Sequence, residues 1–227
     1  MRSVGTGFLV AATAAAAGFL VVPRMILGAP LEPVMGFVQK IFYFHVPCAT
    51  MLFLSTFTCA GGSIAYLFKG SEAGDRVAAS AGELAVLFGI CTLVTGPLWG
   101  RKAWGVWWQW DARLTSSLLL ELVMMAYLLA RRYAGPAGRK LSAALALFAA
   151  IDVPLVYKSV DIWRTVHPQT TVVPTLDPRM RPAFWSAFAL ILVVWSLLLA
   201  LRMRLERARA DLAALRLDVD EILEARS

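Results

Sequence analysis

Six long runs of apolar residues, separated by short polar or charged segments, follow one another along this chain. Each run approaches the roughly 20 residues that an α-helix needs to cross the hydrocarbon core of a bilayer. Lipid offers the backbone no hydrogen-bond partner, so apolar runs of this length predict helices. The predicted spans are residues 8–26, 46–68, 77–98, 114–130, 141–160 and 183–201. The pattern therefore predicts an all-α integral membrane bundle of six transmembrane helices.

The composition agrees with a membrane protein. Of the 227 residues, 59% are hydrophobic and only 16% are charged, whereas a soluble domain is about half apolar and a quarter charged. The first apolar run follows Arg2 and is rich in small residues, which is also typical of a secretory signal peptide. It is long enough to span a bilayer and no clear cleavage site follows it, so we expect it to be retained.

Lysine and arginine are dense in the segments between spans 2 and 3, between spans 4 and 5, and after span 6. By the positive-inside rule this side faces the cytoplasm, together with both termini. The opposite loops are also basic, although less densely. The net charge of +7 is not gathered into a basic stripe of a soluble domain, so we expect no nucleic-acid partner.

The chain changes character after the sixth predicted span. Apolar residues from 201 to 222 step by four and three, which is a heptad pattern, within a segment that begins basic and ends acidic. A partner-docking helix and a helix lying on the lipid surface both fit this pattern. We therefore predict a membrane domain over residues 1–201 and a cytoplasmic amphipathic helical tail over residues 202–227.

The chain has two histidines, and the predicted topology places both on the non-cytoplasmic face. His45 lies at the start of span 2, and His167 lies four crossings later, in the loop before span 6. A neutral imidazole is a common metal ligand, and two of them can occupy both axial positions of a haem iron. An interfacial histidine with its polar tip in water is the alternative, and the shared face leaves both interpretations open.

A cluster of tryptophans lies on the same face, in the segment "WGVWWQWDARLT" at residues 104–115. If residues 104–111 form a helix, its face presents Trp104, Trp107, Trp108 and Asp111, at spacings of i, i+3, i+4 and i+7. Such a helix would lie in the membrane interface and offer several indoles to a flat ligand. An interfacial aromatic belt is the alternative, but a belt has no reason to concentrate four of the eight tryptophans in seven positions.

Cations flank the tryptophans at Arg101, Lys102 and Arg113. A porphyrin is a broad apolar ring with two carboxylates, so indole faces and nearby cations match its chemistry. We expect Arg113 in particular to contact a propionate.

The segment "GPLWGRKAWGVWWQWDARLTSSL" resembles the tryptophan-rich signature, or WWD motif, of the haem-handling proteins of cytochrome c maturation. Its ending, "WDARLT", is similar to the haem exporter protein C (CcmC) branch. "YFHVP" at 43–47 and "IWRTVH" at 162–167 resemble the two histidine motifs of that family. Ile162 stands where a second tryptophan is usual, and Pro168 stands where a polar residue is expected.

The resemblance implies a multi-pass protein of the bacterial inner membrane with a periplasmic haem site. His45 and His167 would be the axial ligands of a haem b that is bound non-covalently and transiently. The platform beneath it would consist of Trp104, Trp107, Trp108, Trp110 and Asp111. The family's partners would be the haem chaperone CcmE, the small subunit CcmD, and the ABC transporter subunits CcmA and CcmB.

Several other activities lack their motifs. The chain has no glycine-rich phosphate loop, so ATP would be hydrolysed by a partner. It has no C-x-x-C-H, so haem is not attached as in a c-type cytochrome. We expect no catalytic residue, although the protein would assist haem attachment to the chaperone. An electron-transferring bis-histidine cytochrome and a permease subunit without cofactor remain as alternatives.

Three acidic residues lie within predicted spans, at Glu83, Glu121 and Asp152. Charge in hydrocarbon is costly, so such residues are expected to face the interior of the bundle. Glu121 is the deepest of the three, and we expect it to make structural hydrogen bonds rather than to form part of a proton path.

Overall fold

A computed structural model describes residues 5–169 and 172–224, and these residues form helices with no β-strand. Six helices are long and apolar enough to cross a membrane, which confirms the predicted spans. They are α1 (Thr6–Gly28), α2 (Phe42–Lys69), α3 (Glu72–Trp104), α4 (Ala112–Tyr133), α5 (Gly138–Ile162) and α6 (Arg181–Glu224). Short 3-10 helices at Phe37–Ile41 and Gly135–Ala137 precede α2 and α5.

Helix ends are set by residues with recognisable capping chemistry. The Ser71 hydroxyl accepts a hydrogen bond from the Gly74 N–H (3.0 Å) at the start of α3. An Asp111 carboxylate oxygen does the same for the Leu114 N–H (2.8 Å) at the start of α4. At the other ends, Gly70 and Gly105 adopt the left-handed conformation that terminates α2 and α3.

Helices α2 and α3 approach each other closely because small residues face one another. A Cβ atom at Gly62 would lie 2.5 Å from the carbonyl oxygen of Gly74 and 2.7 Å from the amide nitrogen of Ala78. The absent side chain therefore lets the two backbones touch, as is common in membrane helix pairs. The main apolar core lies between α2, α3, α4, α5 and α6, whereas α1 packs chiefly against α6.

Ion pairs join the helix ends opposite the tryptophan segment. Arg131 on α4 donates to both carboxylate oxygens of Asp75 on α3, at 2.6 and 2.8 Å. Arg139 on α5 donates to Glu72 at 2.9 Å and lies 3.5 Å from Asp75. This end of the bundle contains the basic loops that we predict to be cytoplasmic, and the assignment of sides remains a prediction.

Helix α6 continues without interruption through the boundary predicted at residues 201 and 202. Residues 207–221 are exposed along its whole circumference, while Arg202 forms an ion pair with Glu83 of α3. The tail is therefore helical as far as Glu224, as an extension of the last span. Its treatment as a separate domain remains a prediction.

The expectation that Glu121 makes structural hydrogen bonds is wrong. Its side chain is buried, with 3% of the residue exposed, and neither carboxylate oxygen has a hydrogen-bond partner in the described part of the chain. The reason lies in its neighbour: α3 presents Gly89 to the carboxylate, which gives space for the group but no side-chain donor. Asp152 is also buried, and one of its carboxylate oxygens has no hydrogen-bond partner within residues 5–169 and 172–224.

Candidate functional site

Residues 105–111 of the tryptophan segment form a non-helical link between α3 and α4. Helix α3 ends at Trp104, Gly105 follows with φ of 78°, and Asp111 is extended, with φ of −87° and ψ of 171°. The helix over residues 104–111 that the tryptophan spacing would allow therefore does not form. A left-handed glycine terminates α3, and the aspartate is the cap of the next helix, so the shared helical face does not form.

The tryptophans instead form an inner and an outer group. Trp104 is half-buried, packs edge-on against Trp99 with ring centroids 5.4 Å apart, and lies 6.4 Å from the ring of His167. Trp107 and Trp110 are 57% and 77% exposed. Trp108 is half-buried and lies 5.8 Å from Trp110 in an edge-on arrangement, and its buried indole N–H has no hydrogen-bond partner among the described residues.

Asp111 connects this segment to the loop of the second histidine. One of its carboxylate oxygens caps α4, and the other accepts hydrogen bonds from the Thr165 hydroxyl (2.5 Å) and the Val166 N–H (3.0 Å). The Thr165 oxygen in turn accepts from the His167 N–H at 3.1 Å. We refer to these three contacts, among Asp111, Thr165, Val166 and His167, as the Asp111 latch. They make Asp111 a group that positions the loop.

His167 is held in one tautomer by its own neighbour. Its Nδ1 lies 2.8 Å from the carbonyl oxygen of Pro168. A carbonyl only accepts hydrogen bonds, so Nδ1 bears the hydrogen and the lone pair is on Nε2. Burial, and secondarily the positive charge of Arg113, lowers the pKa of His167 to about 4. The imidazole is therefore neutral near pH 7, which is the form that binds a metal.

His45 lies in the first turn of α2, with its ring against α3. Its Nδ1 is 2.9 Å from the Thr95 hydroxyl oxygen. A Cβ atom on Gly96 would lie 3.3 Å from the ring, so the glycine gives the imidazole its space. His45 and His167 are near enough to interact electrostatically.

Two of the three predicted cations, Arg101 and Arg113, have local partners. The Arg113 guanidinium donates to the carbonyl oxygens of Val156 (2.5 Å) and Tyr157 (3.2 Å) on α5, and its charge acts on both histidines. Arg101 donates to the Gly105 carbonyl and lies 6.0 Å from the Trp107 ring. One terminal nitrogen of Arg113 thus already binds α5. Contact of Arg113 with a propionate remains a prediction.

The structure thus gathers His45, His167, Trp104, Asp111 and Arg113 at one end of the bundle, with Trp107 and Trp110 towards the outside. Sequence reasoning missed Thr95, Trp99 and Thr165. Trp99 is within the quoted tryptophan-rich signature, and Thr165 lies two residues before a candidate ligand, so each had a local signal. Thr95 had none beyond being a polar residue in a predicted span.

These residues fit the chemistry of a haem site. His167 is a neutral imidazole whose Nε2 is not engaged by its tautomer-fixing bond, and a second imidazole lies nearby. Indole rings adjoin them, and an arginine provides positive charge. A bis-imidazole site with aromatic walls binds an apolar porphyrin that has anionic substituents.

Comparisons with known proteins agree along most of the chain. The model of the family described as "Heme exporter protein C" matches residues 3–222. The chain is 34% identical over 185 residues to "Heme exporter protein C" of Escherichia coli strain K12, covering 78% of this chain and 73% of that protein. It is 31% identical over 172 residues to the protein of that name in Bradyrhizobium diazoefficiens, covering 75% and 65% of the two chains. A "Putative cytochrome c biosynthesis ccmC-like mitochondrial protein" of Arabidopsis thaliana is 30% identical over 201 residues, covering 87% and 75%.

Proposed function

Since the chain belongs to the haem exporter protein C (CcmC) family, we propose that it holds haem at the tryptophan-rich end of its bundle and passes it to a haem chaperone during cytochrome c maturation. The site faces the periplasm in this proposal, and the haem is a b-type haem bound without a covalent link. His45 and His167 supply the axial ligands. The protein needs no catalytic residue for this role.

One observation supports the proposal above the others. The two histidines of the chain are 122 positions apart, which is 167 minus 45, yet His45 contacts Thr95 of α3 and His167 adjoins Trp104 at the end of the same helix. Trp104 adjoins one of them, with ring centroids 6.4 Å apart. Interfacial histidines that serve only as polar tips have no reason to converge beside an aromatic wall. Ligation of one iron gives a reason.

The exposure of the outer tryptophans favours delivery over electron transfer. A redox cytochrome keeps its haem enclosed, whereas a haem that is handed on needs an accessible edge. Trp107 and Trp110 are more than half exposed beside the inner group, so they offer an apolar surface to both haem and an incoming partner. CcmE would dock there, with CcmD and the CcmA–CcmB transporter as further partners.

The test is purification of the full chain in lipid nanodiscs from haem-replete membranes, followed by addition of the haem-free chaperone. We expect a Soret band of six-coordinate low-spin haem, and transfer of that haem to the chaperone. A preparation that takes up no haem would support the permease alternative. Haem that is bound but cannot be removed by the chaperone would support the cytochrome alternative.

A further inference from the structure

The hydroxyl of Thr95, on α3, contacts Nδ1 of His45. Nε2 is then the ring nitrogen that would bind a metal. The Thr95 hydroxyl donates to the carbonyl oxygen of Cys91, one turn earlier, at 2.7 Å. It has a second, longer contact of 3.4 Å with the Thr92 carbonyl. A hydroxyl has one hydrogen, and the Cys91 carbonyl, which can only accept, is its nearest partner, so we assign that hydrogen to the helix backbone.

The direction of the bond between Thr95 and His45 follows. The hydroxyl oxygen, having committed its hydrogen to the backbone, can only accept from His45 Nδ1, 2.9 Å away. Nδ1 therefore bears the hydrogen of the neutral imidazole, and Nε2 keeps its lone pair. We propose that Thr95 is a positioning residue that fixes the tautomer and ring orientation of His45 for metal binding. This inference rests on the proposed function, in which His45 binds the haem iron.

The two histidines reach the same tautomer by different means. His167 donates to the backbone carbonyl of Pro168. That acceptor is part of the main chain and does not depend on the identity of a side chain. His45 donates to a side chain, so its tautomer is set by the identity of residue 95. The acceptor is a neutral hydroxyl, which polarises an imidazole less than a carboxylate does. A weakly polarised ligand suits a haem that must be released.

Position 95 also offers well-matched variants. Thr95→Val keeps the shape and removes the hydroxyl, and Thr95→Ser keeps the hydroxyl. Thr92→Val is the control, because the Thr92 hydroxyl makes the same kind of bond, to the Phe88 carbonyl at 2.8 Å, without a histidine partner among the described contacts. Any effect of losing a helical threonine as such therefore appears in the control as well.

The first measurement needs no haem. Because the chain has two histidines, ¹⁵N-histidine labelling of the haem-free protein in nanodiscs gives two imidazole spin systems, and His167→Gln identifies the one from His45. We expect His45 to be in the Nδ1–H tautomer in the parent, Thr95→Ser and Thr92→Val proteins. We expect Thr95→Val to show a mixture or the opposite tautomer. An Nε2–H tautomer in the parent, or an unchanged tautomer in Thr95→Val, would overturn the proposal.

The second measurement uses the haem-loaded protein. Loss of a hydrogen-bond partner behind a metal ligand commonly weakens metal binding by about 10- to 100-fold. We expect Thr95→Val to release haem to a globin scavenger at least about tenfold faster than Thr92→Val, with a higher midpoint potential because the imidazole donates less charge. Thr95→Ser should restore both. Equal release from the two valine variants would refute the positioning role, whereas absence of haem from the parent would refute the proposed function itself.

Discussion

Substitution of Asp111 separates the two structural roles of its carboxylate. One oxygen caps α4 at Leu114, and the other accepts from Thr165 and Val166 in the Asp111 latch. An asparagine has one carbonyl oxygen, so Asp111→Asn can keep the cap or the latch but not both. Asparagine is as good a helix N-cap as aspartate. With its oxygen used for the cap, its NH₂ group faces the Val166 N–H and cannot accept a hydrogen bond from it. We expect Asp111→Asn to keep the cap and lose the latch.

The size of the effect follows from the two hydrogen bonds that this substitution removes. Hydrogen bonds to a charged acceptor contribute about 1.5–3 kcal/mol each when buried. Asp111 is half-buried, so we take about 2 kcal/mol for the two latch bonds that Asp111 accepts. That energy corresponds to about a thirtyfold shift between the docked and released forms of the loop. Since only the docked loop offers His167 to the iron in our proposal, apparent haem affinity falls by up to the same factor.

The assay is the rate of haem release from nanodiscs to a globin scavenger, measured beside thermal unfolding. Ser71→Ala is the matched control, because it removes the cap of α3 at the opposite end of the bundle. It should cost about 1 kcal/mol of stability and leave haem release unchanged. Asp111→Asn should speed haem release by up to about thirtyfold. Release from Asp111→Asn at the parental rate would refute the latch.

Other perturbations test the outer tryptophans, the packing of α2 against α3 and the burial of His167. Trp107→Leu combined with Trp108→Leu should preserve membrane insertion but speed haem loss. Trp185, an exposed tryptophan on α6, is the control, and Trp185→Leu should leave haem loss unchanged. Equal haem retention in the two variants would favour a membrane-anchor role for the tryptophan segment. Gly62→Ala should lower the unfolding temperature, because its Cβ atom would meet the α3 backbone, while Gly61→Ala has open space and serves as control; equal melting of the two would contradict the α2–α3 packing. The pKa of His167 is lowered to about 4. Haem uptake by the apoprotein should therefore stay constant from about pH 8 to pH 6 and fall as the pH approaches 4. A loss of uptake centred near the ordinary pKa of about 6.5 would show that His167 is not buried.

Hydropathy predicted the six helices because burial in lipid constrains every backbone hydrogen bond of a span. It also placed the histidines and the tryptophan segment on one face, since an even number of crossings returns the chain to the same side. The helix that the tryptophan spacing would allow over residues 104–111 does not form, because the left-handed backbone of Gly105 ends α3. Local backbone chemistry overrode periodicity there.

Contacts between different helices could not be predicted from the sequence pattern. Thr95 and His45 are 50 positions apart and meet because α2 and α3 pack closely over their glycines. Thr165 reaches Asp111 across 54 positions. Neither pairing leaves a periodic signal, since each depends on how helices are rotated about their own axes. The same applies to Glu121, whose isolation depends on facing Gly89.

The haem spectra of His45→Ala and His167→Ala show whether both imidazoles bind the iron as axial ligands. We predict that each variant, purified in nanodiscs and loaded with haem, loses the six-coordinate low-spin spectrum and regains it when free imidazole is added. A parental spectrum in either variant, before imidazole is added, would contradict the account.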